Sequence, residues 1–313
     1  MKQAHNSAAG PKIRLQREWT PRRVGELVIK GLLFAAAALS VATTLAIVFS
    51  LVQETINFFG KISFSEYAFG TSWDPLKSDE YGVLPLIFST FYLTGIGLLV
   101  AIPLGLGSAI WLAEYASPRR RKVVKPIVEL LAGIPTIVFG YFALTWVTPT
   151  LLQDIAGVEA KSFNALSAGL VLGLLVLPTI ASVADDAMTS VPGSLREGAY
   201  GLGSTKRQVA LRVVFPAAIS GIVAGIVLGA SRAVGETVVI LVAGGQLASL
   251  DVDAREPHQN MAAFIADTAR SDVSTVSPEY LTIFAVGTTL FVICLILNII
   301  SIGFVRRYRQ VYE

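Results

Sequence analysis

The stretch VLPLIFSTFYLTGIGLLVAIPLGLGSAIWLA, residues 83–113, contains no charged side chain. About 20 consecutive apolar residues suffice for a helix that crosses a bilayer, so this stretch is long enough for one span. Further charge-free runs occupy residues 31–52, 130–153, 162–184, 213–231 and 280–305. The run that starts at residue 213 stays apolar to residue 250 if Arg232 and Glu236 are tolerated. The sequence therefore predicts an all-α integral membrane protein with six transmembrane helices.

Composition agrees with this prediction and excludes several other classes. Of the 313 residues, 53% are hydrophobic and only 15% are charged, against about 25% charged in soluble domains. The single cysteine, Cys294, rules out a disulfide framework and a cysteine-based metal site. His5 and His258 are far apart and lack a second ligand at metal spacing. We therefore predict no cofactor or metal in this chain, and no nucleic-acid partner, because the basic residues follow the helix ends.

The basic residues also predict the orientation. Most of the 25 Lys and Arg lie in alternate segments, namely residues 1–30, 119–125, 196–212 and 306–309. Lys and Arg favour the cytoplasmic flanks of spans, so both termini of this multi-pass protein are predicted to be cytoplasmic.

The predicted organisation has four parts. Residues 1–26 form a basic cytoplasmic tail, either solvated or in contact with anionic membrane lipid. Residues 27–82 form the first transmembrane helix and an outer loop, residues 83–306 the transmembrane core, and residues 307–313 the cytoplasmic C-terminus. In the second long outer loop, Met261, Phe264, Ile265 and Thr268 have helical spacing and predict a short interfacial helix.

Several features are typical of a transport bundle. Four apolar runs contain a proline inside or at an edge: Pro103, Pro135, Pro178 and Pro216. Such prolines favour a bundle around a pathway, although ordinary kinking remains open. A stripe of small residues recurs every fourth position: Ala217, Gly221, Gly225, Gly229 and Ala233. The stripe predicts a close helix contact, either within this chain or with another subunit.

Arg232 and Glu236 are charges inside an apolar run, four residues apart and predicted to share one helix face. They could neutralise each other as a structural pair, or Arg232 could line the route of an anionic solute with Glu236 positioning or releasing it. Asp185 and Asp186 are weaker candidates, because they are predicted to lie at a solvated helix end.

The fourth connection, SLREGAYGLGSTKRQVALRVVFPAAISG (residues 194–221), carries a spaced motif. Glu197, Gly198 and Ala199 are followed after three residues by Gly203, and after nine more by Val213-Val214-Phe215-Pro216. This resembles the cytoplasmic signature of ATP-binding-cassette importers: Glu-Ala-Ala, three residues, Gly, nine residues, then aliphatic-x-Leu-Pro. Gly198, Val213 and Phe215 depart from it by small or apolar exchanges. The resemblance implies a coupling helix near residues 194–212 that seats in a groove of a separate ATPase subunit.

The chain itself is not predicted to be an enzyme. The segment GLGSTK, residues 201–206, lacks the glycine before the lysine that a phosphate-cradling loop requires. ATP hydrolysis is therefore expected in the ATPase partner.

Three further stretches resemble the permeases of phosphate-specific importers. They are FGTSWDPLKSDEYGVLPLIFST at 69–90, IPLGLGSAIWLAEYASPRRRKVVKPIVELLAGIPTIVFGYF at 102–142, and GASRAVGETVVILVAGG at 229–245. The Trp73-Asp74-Pro75 group is more similar to the first of their two permease subunits than to the second. The resemblance implies a type I importer fold, a heterodimer with a sister permease, an ATPase dimer and an external phosphate-binding protein. It also implies that Arg232 and Glu236 lie in the helix that lines the phosphate path.

Two alternatives remain open. One is an importer of another oxyanion, such as molybdate or sulfate. The other is a proton-coupled secondary transporter with Glu236, Asp185 or Asp186 as proton carrier, although no convincing internal repeat supports it.

Overall fold

The computed structural model describes residues 21–274 and 277–308, with side chains described within 25–274 and 277–303. The predicted tail lies outside the described residues up to residue 20, as does the C-terminus from residue 309. The chain divides into two compact units, Met1–Ser50 and Leu51–Glu313. All packing described below lies within the second unit.

The described residues are mostly helical. The helices are α1 Pro21–Phe59, α2 Phe64–Phe69, α3 Leu84–Ile110, α4 Pro118–Leu131, α5 Thr136–Phe142, α6 Ala165–Thr189, α7 Gly193–Gly201, α8 Lys206–Gln208, α9 Phe215–Ala217, α10 Ile219–Val234, α11 Met261–Thr268 and α12 Pro278–Tyr308. Helical segments of π type extend or link them at Trp111–Tyr115, Ala143–Ile155, Val209–Val214 and Ile240–Gly244. The outer loop also contains a small antiparallel hairpin that the sequence did not predict, with β1 Trp73–Asp74 paired to β2 Glu80–Tyr81.

The described residues contain up to six candidate membrane spans, if each bent pair of helices is counted as one span. Four helices are long and apolar enough by themselves: Gly25–Phe59, Leu84–Tyr115, Ala165–Thr189 and Pro278–Gly303. The pair Pro118–Leu131 and Thr136–Ile155 bends by 84°, and the pair Lys206–Ala217 and Ile219–Val234 bends by 72°. The apolar runs 130–153 and 213–231 are therefore each interrupted by a bend.

The four prolines in the apolar runs differ in their position relative to the helix bends. Pro103 and Pro178 lie inside the continuous helices α3 and α6. Pro135 caps α5 at the first bend, as expected because a proline disfavours helical backbone at the preceding residue. Pro216 lies in α9, two residues before the second bend at Ala218. Two of the four prolines thus mark or adjoin a bend, and the other two are accommodated within a helix.

The core is centred on α6, which packs against α3 and α10. A Cβ atom on Gly173 of α6 would lie 2.6 Å from the carbonyl oxygen of Gly97 on α3, so the backbones approach too closely for a side chain there. The small-residue stripe packs in the same way against α6. Cβ atoms on Gly225 and Gly229 would meet Val183 and Ile180. The contact within the chain is therefore confirmed, although Ala217 lies before α10 begins.

Two smaller hydrophobic clusters close the ends of this core. At the hairpin end, Phe58, Trp73 and Leu86 pack with Met261 and Phe264 of α11. The prediction of a helix at 261–268 is confirmed. Its apolar side chains Met261 and Phe264 are buried against this cluster, and its position at the membrane interface stays a prediction. At the opposite end, which we call the α7 end, the second cluster joins the last turns of α3 and α6 to the segment that follows α7, through Ala109, Met188, Val191, Val209 and Val214.

Candidate functional site

Helix α7 is shorter than the coupling helix predicted near residues 194–212. It runs from Gly193 to Gly201 and is separated from α8 by a turn at Gly203, whose φ is +79°. In that turn the Gly203 N–H donates to the Tyr200 carbonyl at 2.9 Å, and the Ser204 N–H donates to the Ala199 carbonyl at 3.1 Å. Glycine adopts this left-handed conformation at no steric cost, which explains its position after the helix.

The predicted coupling residues share a partly open surface. Glu197, Gly198, Gly203 and Pro216 are exposed, whereas Ala199 and Val213 are partly buried. Leu202, between α7 and the turn, is 90% exposed. An apolar side chain left so open is typical of a surface that another protein covers, although single exposed leucines are also common.

Arg196 holds α7 against the bundle, a role that the sequence analysis missed. Its Nε and Nη2 donate to Glu114 Oε1 at 3.1 and 3.0 Å, and Nη2 also donates to the Met188 carbonyl at 2.8 Å. The Glu114 side chain is only 5% exposed and lies in the π-helical segment that ends α3. Arg196 therefore connects α7 to the ends of both α3 and α6. The position of Arg196 directly before Glu197 did not indicate this role, because its partner Glu114 is distant in sequence.

Asp185 does not lie at a solvated helix end, so that prediction is wrong. Its side chain is 1% exposed, and its Oδ2 accepts from Arg121 Nη2 at 2.8 Å and from Lys125 Nζ at 3.0 Å. Both cations belong to α4, so this ion pair fastens α4 to α6. Asp186, by contrast, is 65% exposed and meets only Lys125, at 2.6 Å.

Arg232 is a partly buried cation in α10. Its Nη1 donates to the Thr179 hydroxyl of α6 at 3.2 Å. Among the described residues, no carboxylate forms an ion pair with it. The guanidinium is therefore held toward α6 by a neutral acceptor, and its charge remains uncompensated.

Arg232 and Glu236 do not share a helix face, so the predicted pair within one helix is wrong. Helix α10 ends at Val234, and Glu236 lies beyond its Gly235 cap. The Glu236 carboxylate accepts from the backbone N–H groups of Val238 and Val239 at 3.1 and 3.3 Å. These N–H groups begin the next helical segment, so the carboxylate acts there as a helix cap.

The backbone of Glu236 also links α10 to the hairpin end. Its carbonyl accepts from the buried Asn260 Nδ2 at 2.8 Å, and Asn260 caps α11 through the Ala263 N–H. The structure thus places the two predicted pathway charges in separate environments, Arg232 in α10 facing Thr179 of α6, and the Glu236 carboxylate at the start of the helical segment that begins at Val238.

Aromatic side chains hold the hairpin end together. Trp73 packs edge-on against Phe264 with ring centroids 4.9 Å apart, and the Tyr67 hydroxyl lies 2.8 Å from the Thr289 hydroxyl of α12. Burial, followed by the nearby charge of Glu279, raises the pKa of Tyr81 to about 12. The contacts of Trp73 and Tyr67 that attach this end to α11 and α12 are thus aromatic packing and a hydrogen bond between hydroxyl groups.

Comparison with known proteins agrees with this architecture. Residues 101–310 match the family described as binding-protein-dependent transport system inner membrane component. The probable ABC transporter permease protein YqgH of Bacillus subtilis is 37% identical over 222 residues, covering 70% of this chain and 71% of its own. The phosphate transport system permease protein PstC of Mesorhizobium japonicum is 30% identical over 310 residues, covering 93% of this chain and 94% of its own.

Solved structures show the same fold. A chain of a bacterial alginate ABC transporter, crystallised with an alginate-bound periplasmic protein, superimposes with a TM-score of 0.62 at 17% identity, covering 92% of this chain and 99% of its own. A chain of the inward-facing MetNI methionine ABC transporter superimposes with a TM-score of 0.53 at 20% identity, covering 73% of this chain and 95% of its own. The chain is thus a transport component with a type I ABC importer permease fold, and it belongs to the family of binding-protein-dependent transport system inner membrane components.

Proposed function

We propose that this chain is a permease subunit of an ATP-driven importer that carries inorganic phosphate across the bacterial plasma membrane. The observation that carries this proposal is Arg232. A cation in the hydrocarbon region costs at least about 2.5 kcal/mol, so it normally faces a partner or a water-filled route. Arg232 has only the Thr179 hydroxyl as a described partner, which leaves its charge available to a passing anion.

Phosphate as that anion is supported by the relatives. PstC of Mesorhizobium japonicum, named as a phosphate transport permease, aligns with 93% of this chain. The Haemophilus influenzae protein of the same name is 34% identical over 242 residues.

In the proposed mechanism, the open face of α7 docks on an ATPase subunit. Glu197 offers a charged contact, and Gly198 and Ala199 allow that subunit to pack closely. Arg196 transmits the motion of α7 to α3 through Glu114, and to α6 through its own hydrogen bond. The complex would contain an ATPase dimer, a sister permease and an extracytoplasmic phosphate-binding protein. This arrangement requires the α7 end and both termini to be cytoplasmic.

Alternating access follows from partner binding. The loaded binding protein would dock on the outer loops at the hairpin end, and closure of the ATPase dimer would rock the bundle toward its outward-open state. These partners can shift the equilibrium only if each binds the two states with different affinity. Phosphate would then meet Arg232 and leave toward the cytoplasm after hydrolysis.

The test is uptake of radioactive phosphate by cells carrying single-residue variants. Arg232→Ala should lower uptake at least tenfold while the complex is still recovered. Lys30→Ala is the control, because it removes an exposed cation from α1, outside the predicted coupling segment 194–212, and should transport normally. Normal phosphate uptake by Arg232→Ala would contradict the proposal. Excess sulfate or molybdate should not compete, and a proton uncoupler should leave ATP-driven uptake intact.

A second experiment addresses the α7 surface. Glu197→Arg should reduce co-purification of the ATPase subunit in mild detergent, because it reverses the charge on the exposed face of α7. Glu159→Arg reverses an exposed charge elsewhere and should leave recovery unchanged. Equal ATPase recovery from both variants would contradict the docking role of Glu197.

A further inference from the structure

Helix α4 runs across the direction of the span that follows it. It bends by 84° relative to Thr136–Ile155, so it would lie close to the membrane plane if that segment crosses the bilayer. None of its residues is buried, and its apolar side chains Val123, Ile127 and Leu130 are 60%, 53% and 71% exposed. These three residues follow i, i+4, i+7 spacing and therefore form one apolar strip. Such a helix has the geometry of an interfacial amphipathic helix.

The basic residues of α4 divide into two groups. Arg121 and Lys125 turn inward and pair with Asp185. Arg119, Arg120 and Lys122 are exposed, and within the described part of the chain no carboxylate pairs with any of them. The outward-facing side of the first two turns therefore carries uncompensated positive charge.

An apolar groove lies between α4 and the end of α3. It has a volume of about 360 Å³, and Leu104, Gly107 and Trp111 line one side while Val124 and Val128 line the other. A Cβ atom on Gly107 would meet nothing within 4 Å, so the groove is open at this point. Its wall is suited to a hydrocarbon chain.

The groove adjoins one of the free cations, Arg120. Val124 in the groove wall is four residues after Arg120, and residues four apart share one face of a helix. Trp111, which also lines the groove, is 38% exposed, and tryptophan is enriched where membrane meets water. An occupant with an apolar tail and an anionic head would satisfy both features.

We propose that this groove binds an anionic phospholipid, with an acyl chain between α3 and α4 and the phosphate headgroup against Arg119, Arg120 and Lys122. The occupant is a lipid because the apolar strip and the cations lie on a helix oriented along the bilayer surface. It is anionic because each cation near a headgroup region strengthens binding only of negatively charged lipids. This site is separate from Arg232 and does not depend on the transported substrate.

The first test is native mass spectrometry of the full chain equilibrated with mixed vesicles of phosphatidylglycerol and phosphatidylcholine. The wild-type chain should retain phosphatidylglycerol selectively. At about 1 kcal/mol per cation, Arg119→Gln with Arg120→Gln should weaken that selectivity roughly 30-fold. Arg207→Gln with Arg212→Gln removes the same charge from the exposed segment after α7 and should retain it. Equal selectivity in all three proteins, or equal loss in both variants, would overturn the proposal.

The second test fills the groove. Gly107→Leu places a side chain in the open space and should abolish retention of phosphatidylglycerol without unfolding the protein. Gly95→Leu is the control on the same helix, because Gly95 also has open space but does not line the groove. If Gly107→Leu retains lipid as the control does, no acyl chain occupies the groove.

Photocrosslinking in intact membranes identifies the occupant directly. Leu104 lines the groove and is 50% exposed, so Leu104→p-benzoylphenylalanine puts the reactive group at its mouth. A phospholipid adduct is the expected product. An adduct with a protein chain would instead assign the groove to a subunit interface and contradict lipid binding.

Discussion

The α7 end and the end of α10 differ in whether their charged side chains form ion pairs. At the α7 end, Asp185 and Glu114 are almost completely buried, and each is paired with cations from another element. In α10, Arg232 meets only a hydroxyl, and Glu236 uses its carboxylate to cap a helix. Where charges are paired they fasten helices to one another. Where a cation is left unpaired, its cost suggests a task other than stability.

The largest effect should come from removing the carboxylate at the paired end. Asp185→Asn would leave Arg121 and Lys125 without their shared anion. Because both cations are about a quarter exposed, we expect a loss near the lower end for broken buried pairs, about 3 kcal/mol in the free energy of unfolding. Thermal unfolding in detergent would measure it. Asp186→Asn, at a 65% exposed side chain, should change stability by no more than about 0.5 kcal/mol. Similar losses for both would mean that burial of Asp185 does not decide its contribution.

The next effect concerns the link between α7 and the bundle. A double-mutant cycle of Arg196→Ala and Glu114→Ala should give a coupling energy of about 2 kcal/mol, because the pair shares two hydrogen bonds and is largely buried. Lys161 and Glu256 supply a control pair, with side chains 60% and 31% exposed. Their coupling energy should stay below about 1 kcal/mol. If the coupling energy of Arg196 and Glu114 were as small as that of the control pair, burial would not distinguish this ion pair from one at the surface.

A smaller effect is expected at Glu236. Glu236→Gln keeps an acceptor for the Val238 and Val239 N–H groups but removes the negative charge at the start of that helical segment. We expect a loss of about 1 kcal/mol in unfolding free energy. Glu236→Ala, which removes the acceptor as well, should cost more. If the two variants were equally stable, the carboxylate would not be acting as a cap.

The smallest effect on stability should come from Arg232, the residue for which we expect the largest effect on transport. Arg232→Gln removes one hydrogen bond to Thr179 and relieves the cost of a partly buried charge. We expect unfolding free energy within about 0.5 kcal/mol of the unaltered chain. A loss of 2 kcal/mol or more would show that Arg232 is a structural charge like those at the α7 end, and the contrast between the two regions would fail.

Sequence reasoning succeeded where the determining pattern is local. The apolar runs predicted the spans, and the small stripe predicted the face of α10 that packs on α6. Gly203 was singled out as a position of the motif, and its left-handed backbone explains why a glycine stands there. The roles of Glu197 and Arg232 in docking and transport stay predictions until the experiments above are done.

Sequence reasoning failed where a side chain meets a distant partner. Asp185 seemed to lie in solvent because it ends an apolar run, yet its partner Arg121 is 64 positions away in sequence. Nothing in the sequence distinguishes Arg196 from the other basic residues, because its partner Glu114 lies 82 positions earlier. Arg232 and Glu236 have helical spacing, but the helix ends between them at Val234. No local sequence pattern indicates which distant side chains will pair.

The sequence by itself therefore determined that this is a helical membrane protein, which segments can span, and which family motif it carries. Hydropathy and spacing act over one helix length, and they do not depend on how the helices are arranged. Only the tertiary structure decided which charges are neutralised and which remain free. The reason is that a buried charge is stabilised by whichever opposite charge packing brings within about 3 Å, wherever that group lies in the chain.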